Sequence, residues 1–218
     1  MIKNNIRRES YLKFLNTWKN RDLIKVLSGV RRSGKSTLLA MFQQDLKEQG
    51  VQDENIIAIN FEYMEFEELT DYRKLHDYVL SKVDKNKKNY VFLDEIQHVQ
   101  NFEKVVDSLY IRDYIDLYIT GSNAFFLSGE LATLLTGRYI EQHVLPLSFQ
   151  EFKQWHTENN PTIQQLSNRD LYAMYTRSSF PYTLAMTNQQ ETYDYLQAVY
   201  ASVMFKDERW IRKFEQQL

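Results

Sequence analysis

One short segment, GVRRSGKST, combines residue types that can hold phosphate. Gly29 and Gly34 stand five positions apart, and Lys35 and Ser36 follow directly, which is the spacing of a phosphate-binding loop. Such a loop turns its main-chain N–H groups inward around the anion, and glycine adopts the required dihedral angles most easily. We therefore predict that this segment binds a nucleotide. The predicted binding residues are Gly29, Val30, Arg31, Arg32, Ser33, Gly34, Lys35, Ser36 and Thr37.

The residues after the second glycine have separate roles in this prediction. Lys35 would neutralise oxygens of the β- and γ-phosphates of ATP, and the Ser36 hydroxyl would hold Mg²⁺. A helix predicted from Lys35 would direct the positive end of its dipole at the same anion, and Thr37 would help to cap it. A buried strand before the loop and an amphipathic helix after it support this interpretation. The alternative is a glycine-rich turn without a ligand.

Two adjacent acids follow an apolar strand in the segment YVFLDEI. Asp94 is suited to binding Mg²⁺ together with Ser36. Glu95 is suited to polarising an attacking water molecule. The alternative is a pair of solvated acids at the tip of a strand. Together with the loop, these acids predict Mg²⁺-dependent hydrolysis of ATP to ADP and phosphate.

Further polar residues are predicted to act near the γ-phosphate. Ser122 or Asn123 ends the strand DLYITGSN and can reach the γ-phosphate if that strand lies beside the first one. Asn60 is predicted to hydrogen-bond Glu95 and to restrain it until a partner binds. Arg138 could stabilise charge on the γ-phosphate in its own subunit or in a neighbouring one. The alternatives are an ordinary turn, a capping asparagine and a structural salt bridge. The predicted catalytic residues are Glu95, Lys35, Ser122, Asn123 and Arg138.

The elements that would position these residues alternate between strand and helix up to Pro146. Mostly continuous apolar strands indicate a parallel sheet that is covered on both faces, and hence an α/β fold. Only helical patterns follow. We predict an ATPase core with an N-terminal helix over residues 1–148, and an α-helical lid over residues 149–218. Strands are predicted over 23–30, 55–62, 90–96, 116–123 and 138–147, and core helices over 9–20, 35–50, 69–83, 101–112 and 126–136.

Composition narrows the classes of function. The chain has 218 residues and no cysteine, which excludes disulfides and thiolate chemistry, and its four histidines show no metal-ligand spacing. It has no apolar run of membrane-spanning length and no signal peptide, so we expect a cytoplasmic protein without a membrane partner. The net charge of −2 gives no general reason to expect nucleic acid. Residues 1–25 are basic and residues 48–71 acidic, which suits a solvated surface or a contact face for an acidic partner.

The combination of GVRRSGKSTLL, INFE, VFLDEIQ, ITGSN, LTGRY and LPLSFQEF resembles a group of prokaryotic ATPases of the AAA+ type. The resemblance covers residues 5–210. It implies a P-loop NTPase three-layer sandwich with a five-stranded parallel sheet in the order 5-1-4-3-2 and a helical lid. It also implies a further C-terminal domain beyond residue 218, often with a winged-helix element. The lid of that group carries paired glycines before Phe-Pro, where this chain has Ser178 and Ser179.

The resemblance and the motifs predict an ATP-hydrolysing switch or remodeller that binds ATP, ADP and Mg²⁺. A regulatory nucleotide-binding module without turnover is an alternative, and Glu95 distinguishes the two because a binding module needs no acid to activate water. A DNA-associated ATPase is a further alternative. A small-molecule kinase fits less well, because its lid is normally rich in arginine. Self-association and an unknown protein or nucleic-acid partner are expected.

Overall fold

The computed structural model describes residues 6–121, 135, 137–159, 166–186 and 188–201. The helices are α1 (Glu9–Trp18), α2 (Lys35–Glu48), α3 (Tyr72–Lys82), α4 (Phe102–Tyr110), α5 (Phe149–Asn159), α6 (Asn168–Tyr175) and α7 (189–201). The strands are β1 (Ile24–Ser28), β2 (Ile56–Asn60), β3 (Asn89–Asp94), β4 (Ile115–Thr120) and β5 (Tyr139–His143). Short 3₁₀ turns occupy Asp53–Asn55, Met64–Thr70, Ile96–His98 and Pro181–Ala185.

The five strands form one parallel sheet in the order β2-β3-β4-β1-β5. This confirms the order that the resemblance implied. Strands β1, β3 and β4 are central and buried along their whole length, whereas the edge strands β2 and β5 are partly exposed. Because all strands run the same way, their carboxyl ends meet at one edge of the sheet, where ligands of open α/β sheets bind.

Helices cover both faces of this sheet, which gives the predicted three-layer α/β sandwich. On one face, side chains of β1 and β4 join those of α3 and α4 in a single apolar cluster. On the other face, Phe92 and Tyr118 are opposite in register and stack at 4.8 Å between ring centroids. Phe42 of α2 packs against Tyr118 at 5.3 Å, and Leu15 of α1 joins the same cluster. Burial of these apolar side chains is the main force that holds the layers together.

The chain divides into two compact units. The sheet unit consists of residues 9–29 and 35–144, and the helical unit consists of the described parts of 1–8, 30–34 and 145–218. In the helical unit, Leu147, Phe152, Trp155 and Leu184 share a small apolar core. Helix α6 begins with a capping box in which Ser167 and Asp170 exchange hydrogen bonds. The predicted boundary between residues 148 and 149 stays a prediction.

The structure refines one predicted element and leaves another outside the described residues. The helix predicted over 69–83 begins at Tyr72, because the Asp71 carboxylate caps it by accepting from the backbone N–H groups of Arg73 and Lys74. The helix predicted over 126–136 falls outside the described residues, apart from an isolated position. Among the helices of the described part, none is long and apolar enough to cross a membrane.

Candidate active site

The loop after β1 begins with a glycine that the fold requires. Gly29 has φ of +139°, a conformation that side chains rarely adopt. A Cβ atom at this position would lie 2.2 Å from the carbonyl oxygen of Val144. This close approach arises because β5 runs beside β1, and the N–H of Val144 donates to Ser28 at 2.8 Å. Glycine is therefore required at this position both by the backbone conformation and by the close packing of β1 against β5.

The middle of the loop turns sharply. Arg32 and Gly34 have φ of +66° and +99°, and the Ser33 N–H donates to the Val30 carbonyl at 3.3 Å. Ser33 is buried, and its hydroxyl has no hydrogen-bond partner among the described residues. The Arg32 guanidinium lies 5.1 Å from the ring centroid of Tyr195 in α7. Alternating turns of this kind direct successive main-chain N–H groups toward one concave surface.

Lys35 joins the loop to the acids at the end of β3. Its side chain is 3% exposed, and its Nζ atom donates to the Gly29 carbonyl at 3.0 Å. The same atom lies 3.7 Å from Oε1 of Glu95. The chain thus places a buried cation beside the carboxylate that the sequence predicts to be the general base.

Asp94 is surrounded by hydroxyl and amide donors. Asn60 donates to its Oδ2 at 2.9 Å, and the hydroxyl groups of Thr120 and Ser36 also hydrogen-bond the carboxylate. Burial raises the pKa of Asp94 above its ordinary value, although these hydrogen bonds act in the opposite direction. The neighbouring charge of Glu95 also acts to raise this pKa. The charge of Lys35 acts to lower this pKa, but the net shift is upward, so the ionised carboxylate is costly to keep in this buried place.

Glu95 leaves the strand in a left-handed conformation, with φ of 59°. Its backbone N–H donates to Oγ1 of Thr120 at 2.9 Å, and its Oε2 accepts from the Gln97 amide at 2.5 Å. The predicted pairing of Asn60 with Glu95 is wrong in this structure, since Asn60 binds Asp94. The reason is the register: Asn60 and Asp94 are opposite each other in neighbouring strands, whereas Glu95 has already left the sheet.

Thr120 and Gln97 were missed by the sequence reasoning. Thr120 ends β4 and links the two acids, and its signal in the sequence is its place in TGSN, just before the predicted residues Ser122 and Asn123. Gln97 lies in a 3₁₀ turn two residues after Glu95, so its contact could not be read from a helix or strand period. The fold also brings ligand atoms of Glu62, Glu95 and His98 within 4.8 Å of one another, which the spacing of the histidines did not indicate.

Other predicted residues lie elsewhere. Arg138 precedes β5 at the amino edge of the sheet, the opposite edge from Asp94, and its Nη1 pairs with the Asp107 carboxylate at 2.9 Å. The structure therefore does not bring Arg138 to Asp94 and Glu95 of its own chain, and a role in a neighbouring copy stays a prediction. Ser122 and Asn123 lie outside the described residues.

A parallel sheet of this order, with a glycine loop between β1 and α2 and acids at the end of β3, defines the P-loop ATPase class of folds. The chain belongs to the AAA domain family, whose model matches residues 21–153.

The chain is also similar to individual proteins, to one in sequence and to others in fold. An uncharacterised protein of Haemophilus influenzae is 40% identical over 209 residues, which cover 95% of this chain and 51% of the relative. The chain thus spans about half the length of that protein. The fold is similar to the Walker-type ATPase PABY2304 of Pyrococcus abyssi (TM-score 0.62, 14% identity, 99% of this chain and 78% of that one). It is also similar to AMPPCP-bound DnaA of Aquifex aeolicus (TM-score 0.52, 14% identity, 98% and 68%).

Proposed function

We propose that this chain is the ATPase module of a molecular switch or remodeller, and that it hydrolyses ATP to ADP and phosphate with Mg²⁺. The observation that carries the proposal is the placement of buried Lys35 with its Nζ 3.7 Å from Glu95, at the sheet edge where Asp94 also ends its strand. If Lys35 and Glu95 only supported the fold, they would need neither the glycine loop nor a second buried carboxylate, Asp94, whose pKa is raised by burial.

In the proposed bound state, the N–H groups of residues 29–37 surround the phosphates. The Lys35 ammonium exchanges the Gly29 carbonyl for oxygens of the β- and γ-phosphates, which are stronger acceptors because they carry charge. Helix α2 begins at Lys35, so the main-chain N–H groups and the dipole of its first turn add to the binding of the anion.

The donor set at Asp94 fits Mg²⁺. A serine hydroxyl and a carboxylate are hard oxygen ligands, and Ser36 and Asp94 already share a hydrogen bond. The raised pKa of the buried Asp94 fits the same assignment, since a nearby cation would favour its ionised form. Mg²⁺ would be held by Ser36 and Asp94, and it would supply charge neutralisation for the transferred phosphoryl group.

Glu95 is the proposed general base. Water attacks the γ-phosphorus, the bond to the oxygen of the β-phosphate breaks, and the proton of the water passes to a Glu95 carboxylate oxygen. The amide of Gln97 and the N–H of Glu95 itself, which donates to Thr120, restrict where this carboxylate can lie. These contacts orient the base and take no proton.

Phosphate release and nucleotide binding, measured in parallel, test the proposal. Lys35→Ala should abolish both, whereas Glu95→Gln should retain binding and lower turnover by about 10²- to 10⁴-fold, the usual contribution of a general base. Lys47→Ala is the matched control, because Lys47 lies at the exposed end of the same helix. Wild-type protein that binds ATP tightly but releases no phosphate, with or without added partners, would show a binding module instead.

Separate measurements test the proposed partners. An ATPase rate per subunit that rises with protein concentration would support self-association, and a flat series would support a monomeric switch. Added DNA that raises the rate in a salt-dependent manner would support the DNA-associated alternative. An unknown protein partner is also part of the proposal.

A further inference from the structure

A buried arginine outside the predicted site reaches into the phosphate loop. Arg8 lies just before α1 and is 4% exposed. Its Nη1 donates to the Ser33 carbonyl at 3.1 Å and to the Leu145 carbonyl at 2.9 Å. Its Nε and Nη2 donate to the two oxygens of Glu151 at 2.8 and 3.1 Å, and Nη2 also donates to the Pro146 carbonyl at 3.2 Å.

These contacts fix the guanidinium in place. The five hydrogen bonds match the five N–H donors of an arginine side chain, so the planar group cannot rotate without losing several at once. Glu151 is itself anchored by the Ser148 backbone N–H at 2.8 Å. Burial acts to raise the pKa of Glu151, but the hydrogen bonds from Arg8 and Ser148 outweigh it, and the net pKa is lowered. The pair is thus a fixed support for Ser33.

The contact with Ser33 determines the direction of the next N–H group. In a planar trans peptide, the carbonyl of one residue and the N–H of the next point in opposite directions. Because the Ser33 carbonyl points at Arg8, the Gly34 N–H points away from Arg8. A peptide flip between these two residues would exchange these directions and present a carbonyl oxygen where the loop otherwise presents a donor.

The local chain does little to prevent such a flip. Gly34 has φ of +99°, and glycine adopts positive and negative φ with similar ease. A Cβ built at this position has no atom closer than 3.8 Å, so packing against the glycine does not lock it either. The bond from Arg8 is the described contact that distinguishes the two orientations of this peptide.

We propose that Arg8 is a positioning residue for the phosphate loop, and that it holds the Ser33–Gly34 peptide with its N–H available to a phosphate oxygen. This rests on the proposed binding of ATP by the loop. Arg8 itself touches no phosphate in this account. Without it, the flipped carbonyl would repel the anion and remove one donor, so the loss would fall on nucleotides that carry a β-phosphate, which are ATP and ADP.

A matched pair of variants separates positioning from general stabilisation. Arg8→Ala removes both the ion pair with Glu151 and the bond to Ser33, whereas Glu151→Gln weakens the ion pair and leaves the bond to Ser33. Both should lower the unfolding midpoint of the nucleotide-free protein. We expect Arg8→Ala to weaken ATP and ADP binding at least 10-fold, and Glu151→Gln to stay within about 3-fold of wild type, since one charge-assisted hydrogen bond corresponds to roughly a tenfold change in affinity. Equal losses in the two variants would overturn the proposal.

Arg8→Lys keeps the charge but not the planar fork, and it serves if Arg8→Ala does not fold. A single ammonium lacks the separate nitrogens with which the guanidinium reaches Glu151 and Ser33, so ATP binding should fall at least 5-fold while the circular dichroism spectrum stays that of wild type. Wild-type affinity in a folded Arg8→Lys protein would show that charge alone suffices and would contradict the positioning role.

A measurement without nucleotide keeps this inference distinct from the proposed function. The residual dipolar coupling of the Gly34 N–H, compared with those of amides in β3, reports the direction of that bond. It should be unchanged in Glu151→Gln and should change, or be averaged by exchange, in Arg8→Ala. An unchanged coupling in Arg8→Ala would overturn the role of Arg8 whether or not ATP binds. Wild-type protein that binds no ATP but shows the expected couplings would overturn the proposed function alone.

Discussion

Two buried lysines in the sheet unit pair with carboxylates in different ways. At the amino end of the sheet, Lys25 is fully buried and hydrogen-bonds Asp116 directly. At the carboxyl end, the Nζ of Lys35 lies 3.7 Å from Glu95, beyond hydrogen-bond distance. Both pairs place a cation and an anion in an environment of low polarity. Of the two, Lys25 and Asp116 are within hydrogen-bond distance, whereas Lys35 and Glu95 are not.

The surroundings of the first pair explain its role. Asp116 also accepts from the Asn20 N–H and the Tyr118 hydroxyl, each at 2.8 Å, and Lys25 also donates to the Arg21 carbonyl at 2.7 Å. Burial lowers the pKa of Lys25, and Asp116 opposes this shift. A network with these contacts holds the chain between α1 and β1 in place.

The surroundings of the second pair are those of a binding site. Lys35, Asp94 and Glu95 carry two negative charges against one positive charge, and burial raises the pKa of Asp94. Buried polar groups arranged in this way cost stability, and proteins retain such arrangements where function needs them. Burial of a lysine–acid pair therefore does not by itself indicate function. What distinguishes Lys35 is its position at the carboxyl end of the sheet, next to two buried acids.

The largest expected effect on stability comes from Lys25. Lys25→Met leaves the buried Asp116 without its cation and should lower the free energy of unfolding by about 3–5 kcal/mol. Lys35→Met should lower it by only about 1–2 kcal/mol, because its ion pair is longer and Glu95 keeps the hydrogen bond from Gln97. Urea unfolding of the nucleotide-free proteins measures both. Equal losses would remove the distinction between the two pairs.

The second prediction is a difference in coupling. Asp116→Asn removes the charge but keeps an acceptor for Asn20 and Tyr118, so the double variant Lys25→Met/Asp116→Asn should recover about 2 kcal/mol relative to the sum of the single variants. The corresponding cycle with Lys35→Met and Glu95→Gln should give a coupling below about 1 kcal/mol. A larger coupling at Lys35 than at Lys25 would contradict the interpretation that the Lys25 pair is structural and the Lys35 pair belongs to a binding site.

The neighbourhood of Lys35 could be predicted from the sequence, whereas the pairing of Lys25 with Asp116 could not. The glycine loop, the acids after β3 and the alternation of strands and helices are local patterns, so the sheet and the neighbourhood of Lys35 could be predicted. Lys25 and Asp116 are separated by 91 positions, and each lies within an apolar run where a charge has no local signal. Their pairing depends on β1 lying beside β4, which periodicity does not determine.

The register of the strands also explains why the prediction for Asn60 is wrong. Asn60 ends a strand and is predicted to bond Glu95, but the register of β2 against β3 pairs it with Asp94. Arg138 lies at the amino end of its strand, where it pairs with Asp107, and its catalytic role in a neighbouring copy stays a prediction. Arg8 had no motif at all, since its partners come from distant segments of the chain.

A third prediction uses the pH dependence of stability. The pKa of Asp94 is raised above its ordinary value of 3.8, so the folded state binds more protons than the unfolded state between that value and the raised one. Its contribution is therefore fully present at low pH and is lost as the pH rises through the raised pKa. The unfolding free energy of wild type minus that of Asp94→Asn should fall from pH 4 to pH 7. Urea titrations of the nucleotide-free proteins measure this slope, and a slope of opposite sign would contradict the assignment.

The smallest expected effect concerns an ion pair at the surface. Arg138 and Asp107 pair at 2.9 Å, but their side chains are 49% and 39% exposed, so solvent screens the attraction. Arg138→Ala and Asp107→Ala should each change the free energy of unfolding by less than about 1 kcal/mol. The two variants differ in one respect, because only Arg138→Ala removes a guanidinium that a neighbouring copy could receive. If Arg138 acts in trans, that variant alone should lose the part of the ATPase rate that rises with protein concentration. If both variants keep the wild-type concentration dependence, Arg138 is only an exposed partner of Asp107. The two ends of the sheet are then distinguished by Lys25 and Lys35 alone.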